Sequence, residues 1–191
     1  MMEKRVLEIL KETDAFLEGH FLLSSNRHSK QYVQCAKALR FSDSAEELMK
    51  ILKDKLNHLD IDLVVGPAMG GVITSYELGR QLKKESIFSE RENGVVKLRR
   101  GFDIKEGSNV IISEDVVTTG KSTIEVKKLI ESYGANVLGV ACIVDRRAEN
   151  LDIGLDVFSC IKLNIESFDE HDCPLCKQGI PAYKPGSRKM V

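Results

Sequence analysis

Two adjacent acids, Glu114 and Asp115, end the apolar run "NVIIS". The residues after them are Val116, Val117, Thr118, Thr119, Gly120, Lys121 and Ser122. A helical pattern then begins, so the six residues Val116–Lys121 read as a loop feeding a helix N-terminus. Such a terminus offers unpaired backbone N–H groups and partial positive charge, which suits an anion. The hydroxyls of Thr118, Thr119, Ser122 and Thr123 add donors, and Gly120 lets the backbone come close to a ligand. Two carboxylates can accept hydrogen bonds from a vicinal diol, or hold magnesium directly or through water. A ribose 5-phosphate group meets both halves: phosphate in the loop, hydroxyls on the acids. The segment "GKS" also invites a triphosphate-binding P-loop, but that motif needs glycine five positions before Gly120, where Asp115 stands. The bland alternative is that the acids cap the following helix at the surface.

The elements that must position these groups alternate between strand and helix. Residues 3–18 and "SDSAEELMKILKDKLNHL" read as amphipathic helices, the second with Ser44 and Glu47 at capping-box spacing. "HFLLSS" and "QYVQCA" read as short strands around the polar turn "NRHSK". From Ile61 onward, "IDLVV", "NVIIS", "NVLGVACIVD" and "LDVFSCIKL" read as strands, with "SIFSE" and "GVVKL" as two more around "RENG". "VITSYELGRQLKK" and "STIEVKKLIESY" are the intervening helices, the latter ended by Gly134. Strand–loop–helix units at this spacing predict an α/β fold with a parallel sheet, whose ligands bind beyond the carboxyl ends of the strands. The glycine-rich loop "GPAMGG" belongs on the same rim as "TTGKS". The expected organisation is a single domain over 1–191, with a small N-terminal hood in 1–40 and an irregular segment over 160–191.

Bulk properties remove several function classes. Hydrophobic residues make up 42% of the 191 and charged residues 30%, an ordinary globular composition. The net charge of -1 gives no basic field for nucleic acid. No apolar run approaches the ~20 residues that cross a bilayer. The start "MMEKRVLEIL" lacks a signal-peptide core. Five scattered cysteines suit a reducing compartment, so a cytoplasmic protein is expected.

"VIISEDVVTTGKST" resembles the phosphoribosyl-diphosphate (PRPP) signature of type I phosphoribosyltransferases. Three further stretches narrow the likeness. "HFLLSSNRHSKQYVQCAKAL", "VVGPAMGGVITSYELGRQL" and "CIVDRRAEN" resemble the N-terminal segment, diphosphate loop and orotate-contacting strand of the orotate phosphoribosyltransferase family. The resemblance implies transfer of a phosphoribosyl group from PRPP to orotate with Mg2+ as cofactor. The metal would be held mainly by substrate and water rather than by direct protein ligands. It assigns the 5′-phosphate to Thr118–Ser122, the ribose hydroxyls to Glu114 and Asp115, and the diphosphate to the loop Ala68, Met69 and Gly70. Orotate falls to Arg146 and Thr118. "RENGVVKLRRG" resembles the family's mobile catalytic loop, which implies roles for Arg91 and Lys97, with Arg99 and Arg100 beside them, and a homodimer with shared active sites. The bland alternative for these cations is a solvated charged hairpin. Other readings on the same fold are a transferase for another nucleobase and a non-catalytic PRPP-sensing regulator.

Two departures from the family stand out. Many members have lysine where Ser24 and Gly70 stand here, and Arg27, His28 and Lys30 are candidates to replace the first. Cys173 and Cys176 form a C-x-x-C near His171 and Cys160 in sequence, but zinc needs four ligands in suitable geometry, so a structural metal is the lesser reading. Cys35 and Cys142 read as small buried hydrophobes, and Met69 as packing. His20, His28 and His58 belong to no recognisable constellation.

Overall fold

Residues 2–23 and 25–185 are described by the structure, a computed structural model; Met1, Ser24 and residues 186–191 lie outside them. Helix α1 (Met2–Glu12) buries Val6, Ile9 and Leu10 at helical spacing. It stops well short of the expected residue 18. The Thr13 hydroxyl donates to the Ile9 carbonyl at 2.7 Å, and Asp14 turns into the left-handed region at φ 55°. The chain then enters β1 (Phe16–Leu22), antiparallel to β2 (His28–Val33). This two-stranded hood begins four residues earlier than expected and draws half of the "NRHSK" turn into β2. One turn of helix, α2 (Ala36–Leu39), leads to α3 (Ser42–Leu56), which buries Leu48, Ile51, Leu52 and Leu56. The capping box does not form. Phe41 is the N-cap, and the Glu47 carboxylate instead receives Arg5 Nε and Nη2 at 2.8 and 2.9 Å.

The main sheet comprises β3 (Leu63–Pro67), β4 (Glu85–Glu92), β5 (Val95–Leu98), β6 (Asn109–Val117), β7 (Asn136–Asp145) and β8 (Val157–Lys162). Their order is β5-β4-β3-β6-β7-β8, parallel except for the β4–β5 hairpin. This is the expected α/β architecture. Helix α4 (Gly70–Leu82) carries the chain from β3 to β4 in one direction, and α5 (Lys121–Ser132) carries it from β6 to β7 in the other. Strands β3 and β6 are neighbours, so their connections diverge and open a crevice at the carboxyl edge. Alternation along β6 explains the two core layers. Ile111 packs with Leu48, Leu52 and Leu78, whereas Val110 and Ile112 pack with Val126 and Ile130 of α5. Gly134, at φ 75°, follows α5 as expected.

The segment expected to be irregular from residue 160 is ordered at its start, because β8 runs to Lys162 beside β7. The rest wraps the hood. His28 and Phe168 exchange backbone hydrogen bonds at 2.8 Å each. On the other strand, Leu22 N–H donates to Tyr183 O, and Tyr183 N–H donates to His20 O. A single turn, α6 (Pro174–Lys177), lies between these two ties. No described helix is long and apolar enough to cross a membrane.

Gly120 shows how tightly the carboxyl edge is built. Its φ is 71°, and a Cβ there would lie 2.5 Å from Ile153 Cγ2. Gly94, in the hairpin turn at φ 83°, has open space around the same position. Gly120→Ala is therefore expected to cost about 3 kcal/mol and Gly94→Ala about 1 kcal/mol. Urea unfolding with unchanged m-values measures both; equal losses would remove the contact with Ile153 from the explanation.

Candidate active site

Glu114 and Asp115 lie inside β6 rather than after it. Strand pairing continues through Glu114↔Cys142, Val116↔Val144 and Val117↔Asp145, leaving Thr118–Gly120 as the loop. Adjacent strand residues point to opposite sides. Glu114 is buried and lines a small cavity of about 60 Å³ with the backbone and side chains of Val116–Thr123. Gly120 is the N-cap of α5, with no side chain capping the helix, and the helical ladder begins when Ile124 N–H donates to Gly120 O at 2.8 Å. The Lys121 amide meets Thr119 Oγ1 at 3.4 Å, and the next amides of α5 remain available to an anion, beside the exposed Thr118, Thr119 and Ser122.

Asp115 turns toward α4. A Cβ on Gly70 would lie 2.5 Å from the Asp115 carboxylate carbon, so the missing side chain at position 70 makes room for the acid. A lysine there, which the resemblance implies for many family members, would require Asp115 to move. The neighbouring loop is anchored by Ala68 N–H donating to Ser89 O at 2.9 Å. Met69 is 84% exposed, which overturns its reading as a packing residue. Gly71 fits closely as well, since a Cβ would meet Ser113 O at 2.8 Å. These contacts draw the two rim loops together around Asp115.

The acids carry unusual electrostatics. Burial, and then the neighbouring Asp115 charge, pushes the Glu114 carboxyl up to about 8. Burial also raises Asp115, against the opposing hydrogen bonds of the Val116 and Asp115 backbone N–H groups. The Val116 amide donates to Asp115 Oδ1 at 2.9 Å. Glu114 is therefore largely protonated at neutral pH, and a ligand rich in donors or cations would favour its ionised form.

A second cavity, of about 430 Å³, opens under the hood and shares Val116, Thr118 and Thr119 with the first. Arg146 and Tyr32 line it, and so does Lys184 from the tail. The Arg146 N–H donates to Val117 O at 2.8 Å, which fixes the arginine at the rim. Its neighbour Arg147 is occupied elsewhere, with Nε and Nη2 both 3.0 Å from the Asp145 carboxylate. Among the described residues, the buried Nε of Arg146 meets no hydrogen-bond partner. Burial lowers the pKa of this guanidinium, and among the described residues no carboxylate forms an ion pair with it. Such a group demands acceptors from a ligand. Tyr32 and Lys184 were not legible as site residues, since nothing local in "KQYVQ" or "AYKPG" points to a pocket.

Within one chain, the expected hairpin cations do not line either cavity. Arg91 donates to Glu125 of α5 and to Gly94 O, Lys97 pairs with Glu92 at 2.8 Å, and Arg100 pairs with Glu90 at 2.9 Å. Arg99 lies 3.7 Å from Glu92. The candidates to replace the family lysine at Ser24, itself outside the described residues, are also placed elsewhere. Arg27 binds Ser167 and Asp169, His28 contacts His20, and Lys30 lies over the Phe168 ring. Cys35 and Cys142 are buried, as expected of small hydrophobes.

Comparison with known proteins agrees with this geometry. The family described as "Phosphoribosyl transferase domain" matches residues 37–174. The orotate phosphoribosyltransferase of Thermotoga maritima is 53% identical over 185 residues, covering 97% of this chain and 99% of the relative. The crystal structure of orotate phosphoribosyltransferase from Aeropyrum pernix superposes with a TM-score of 0.71 at 27% identity, covering 85% of this chain and 94% of that one. Leishmania donovani UMP synthase, at 20% identity and TM-score 0.71, shares the fold over 83% of this chain, which spans 36% of that longer protein.

Burial of Glu114 has a measurable consequence for stability. Its folded pKa of about 8 lies above the ordinary 4.5, so the native state holds the proton more tightly than the unfolded chain. Below 4.5 both states are protonated and no penalty arises. As pH rises the unfolded chain ionises first, and stability falls until the native carboxyl titrates as well. Glu114→Gln is expected to remove this slope and to stabilise the free protein by roughly 2–3 kcal/mol at pH 7, with little difference at pH 4. Denaturant titrations of both proteins across this range check it; parallel pH profiles would contradict the assigned shift.

Proposed function

The chain belongs to the phosphoribosyl transferase family, and from that premise we propose that it transfers the 5-phosphoribosyl group of PRPP to orotate, giving orotidine 5′-monophosphate and diphosphate in pyrimidine biosynthesis. The observation that carries the choice of base is Arg146. Arg146 lines a cavity large enough for a small ring, next to the loop suited to the ribose phosphate, and its buried Nε has no partner among the described residues. Orotate brings a carboxylate and two carbonyl oxygens to that guanidinium, and Lys184 offers a second cation on the cavity wall.

In this reading the α5 N-terminus with Thr118, Thr119 and Ser122 holds the 5′-phosphate. Glu114 and Asp115 take the ribose hydroxyls from either side of the strand end. The backbone of Ala68–Gly70 faces the diphosphate. Bond breaking at the anomeric carbon is loose, with positive charge on the ribose, so catalysis consists of holding the base nitrogen in line and stabilising the departing diphosphate. Orotate loses its ring proton readily, so no strong protein base is required. Magnesium, when bound with PRPP, would neutralise diphosphate charge. The oxygen donors of Glu114 and Asp115 fit it, although a carboxyl protonated at rest is not a preformed metal cage.

The hairpin cations complete the proposal through a homodimer, with Arg91 and Lys97 of one protomer released from their local acids to meet diphosphate in the other's site. The reaction is assigned to the cytoplasm, consistent with five free cysteines.

Incubation with PRPP, magnesium and separate bases tests the activity: orotate absorbance should fall, whereas turnover of another base alone, or PRPP binding without turnover, would refute the reading. Arg146→Ala should lower kcat/KM for orotate about 100-fold while leaving PRPP affinity within about threefold. Site sharing has its own check. Mixing inactive Glu114→Gln with inactive Lys97→Ala should restore about a quarter of wild-type activity through heterodimers; no recovery after confirmed subunit exchange would mean each site is self-contained.

A further inference from the structure

The hood and the tail meet at four side chains that the transfer reaction does not use: His20 on β1, His28 on β2, and Cys173 and Cys176 flanking Pro174 at the start of α6. One ligand-type atom from each lies within 4.8 Å of all the others, and the cluster is buried except for Cys176, which is partly exposed. His20 Nε2 is 2.7 Å from His28 Nδ1, 3.4 Å from Cys173 Sγ and 3.7 Å from Cys176 Sγ. Cys176 Sγ is 3.3 Å from His28 Nδ1.

The outer hydrogen bond fixes the chemistry of this centre. His20 Nδ1 is 2.7 Å from Ile180 O. A carbonyl can only accept, so Nδ1 carries the proton, and a neutral His20 turns the Nε2 lone pair inward. A hydrogen-bonded imidazole pair would account for the 2.7 Å contact. It does not account for two thiols converging on the same nitrogens, because the one lone pair of His20 Nε2 cannot accept from His28 and from both thiols. A cation at the middle serves all four. Tetrahedral zinc with two sulfur and two nitrogen ligands has nitrogen–sulfur edges of roughly 3.5 Å, close to those observed.

We propose that His20, His28, Cys173 and Cys176 form a structural zinc site that staples the tail to the hood. Two thiols release their protons as thiolates on binding, so the 2+ ion, two thiolates and two neutral imidazoles sum to zero charge, and the buried centre carries no net ionic penalty. Sulfur and imidazole donors in tetrahedral array select zinc over hard cations. The sequence neighbours Cys160 and His171 take no part: Cys160 Sγ donates to Leu48 O in the core, and His171 is exposed. The ligand pairs are 145 or more positions apart along the chain only across the hood–tail junction, so the ion closes a long loop. The same junction holds Tyr183 against β1 and thereby sets the position of Lys184. That last consequence rests on reading the Arg146 cavity as the base site; the metal site does not.

The test begins with metal analysis of the full chain purified under reducing conditions without an affinity tag. About one zinc per chain is expected in wild type and in His171→Ala, and less than about a tenth in Cys173→Ser/Cys176→Ser. Cobalt added to zinc-stripped wild type should give the intense visible bands of a tetrahedral site with thiolate charge transfer, and zinc should abolish them and raise the thermal midpoint. This second measurement uses wild type, so it stands even if the cysteine variant fails to fold. Metal-free folded protein that also gives no tetrahedral cobalt spectrum would overturn the site, as would a Cys173–Cys176 disulfide persisting under reduction. Loss of metal with orotate KM unchanged would keep the zinc site and remove only the link to Lys184.

Discussion

The Glu114 carboxyl group sits where β6 meets the uncapped start of α5, almost excluded from water and beside a second acid. The rest of the rim follows from that placement. Burial makes ionisation costly until a ligand arrives. The open helix terminus a few residues later offers the opposite polarity, ready for an anion. A single ligand with hydroxyls near one end and phosphate at the other relieves both conditions at once. The fold therefore stores a mismatch at its carboxyl edge that the phosphorylated sugar of the proposed reaction would correct.

Close backbone packing is what allows the mismatch to be held. Gly66 and Gly71 let β3 and α4 approach so closely that a Cβ on Gly66 would lie 2.0 Å from Gly71 O. Gly70 leaves the space that Asp115 fills, and Gly120 turns the loop against Ile153. These glycines set the distance between the two rim loops. The sheet beneath them supplies the rigidity, since β3 and β6 are central and paired on both sides.

Much of this was legible because it is local. The β7 strand was readable to the residue from "NVLGVACIVD", and the residues around Glu114 were readable as two acids leading through a short loop into a helix N-terminus. Local signals failed where distant partners intervened. Ser44 and Glu47 had capping-box spacing, but Arg5 from another helix took the glutamate. Rising polarity marks the acids as a strand end in the sequence, yet pairing with β7 carries the strand two residues past them, to Val117. His20 and His28 looked unremarkable because their companions, Cys173 and Cys176, come from the far end of the chain. Lys184 was hidden for the same reason: only the wrapping of the tail brings it to the Arg146 cavity.

On the proposed function, Glu114 waits protonated and ionises when the sugar arrives. Carbon-13 NMR of side-chain-labelled glutamate, assigned with Glu114→Gln, reads that carboxyl directly as pH is varied, without and with PRPP and magnesium. The expected midpoint is near 8 in the free protein, with a clear downward displacement on binding. A midpoint near the ordinary 4.5 in the free protein, unmoved by PRPP, would contradict it.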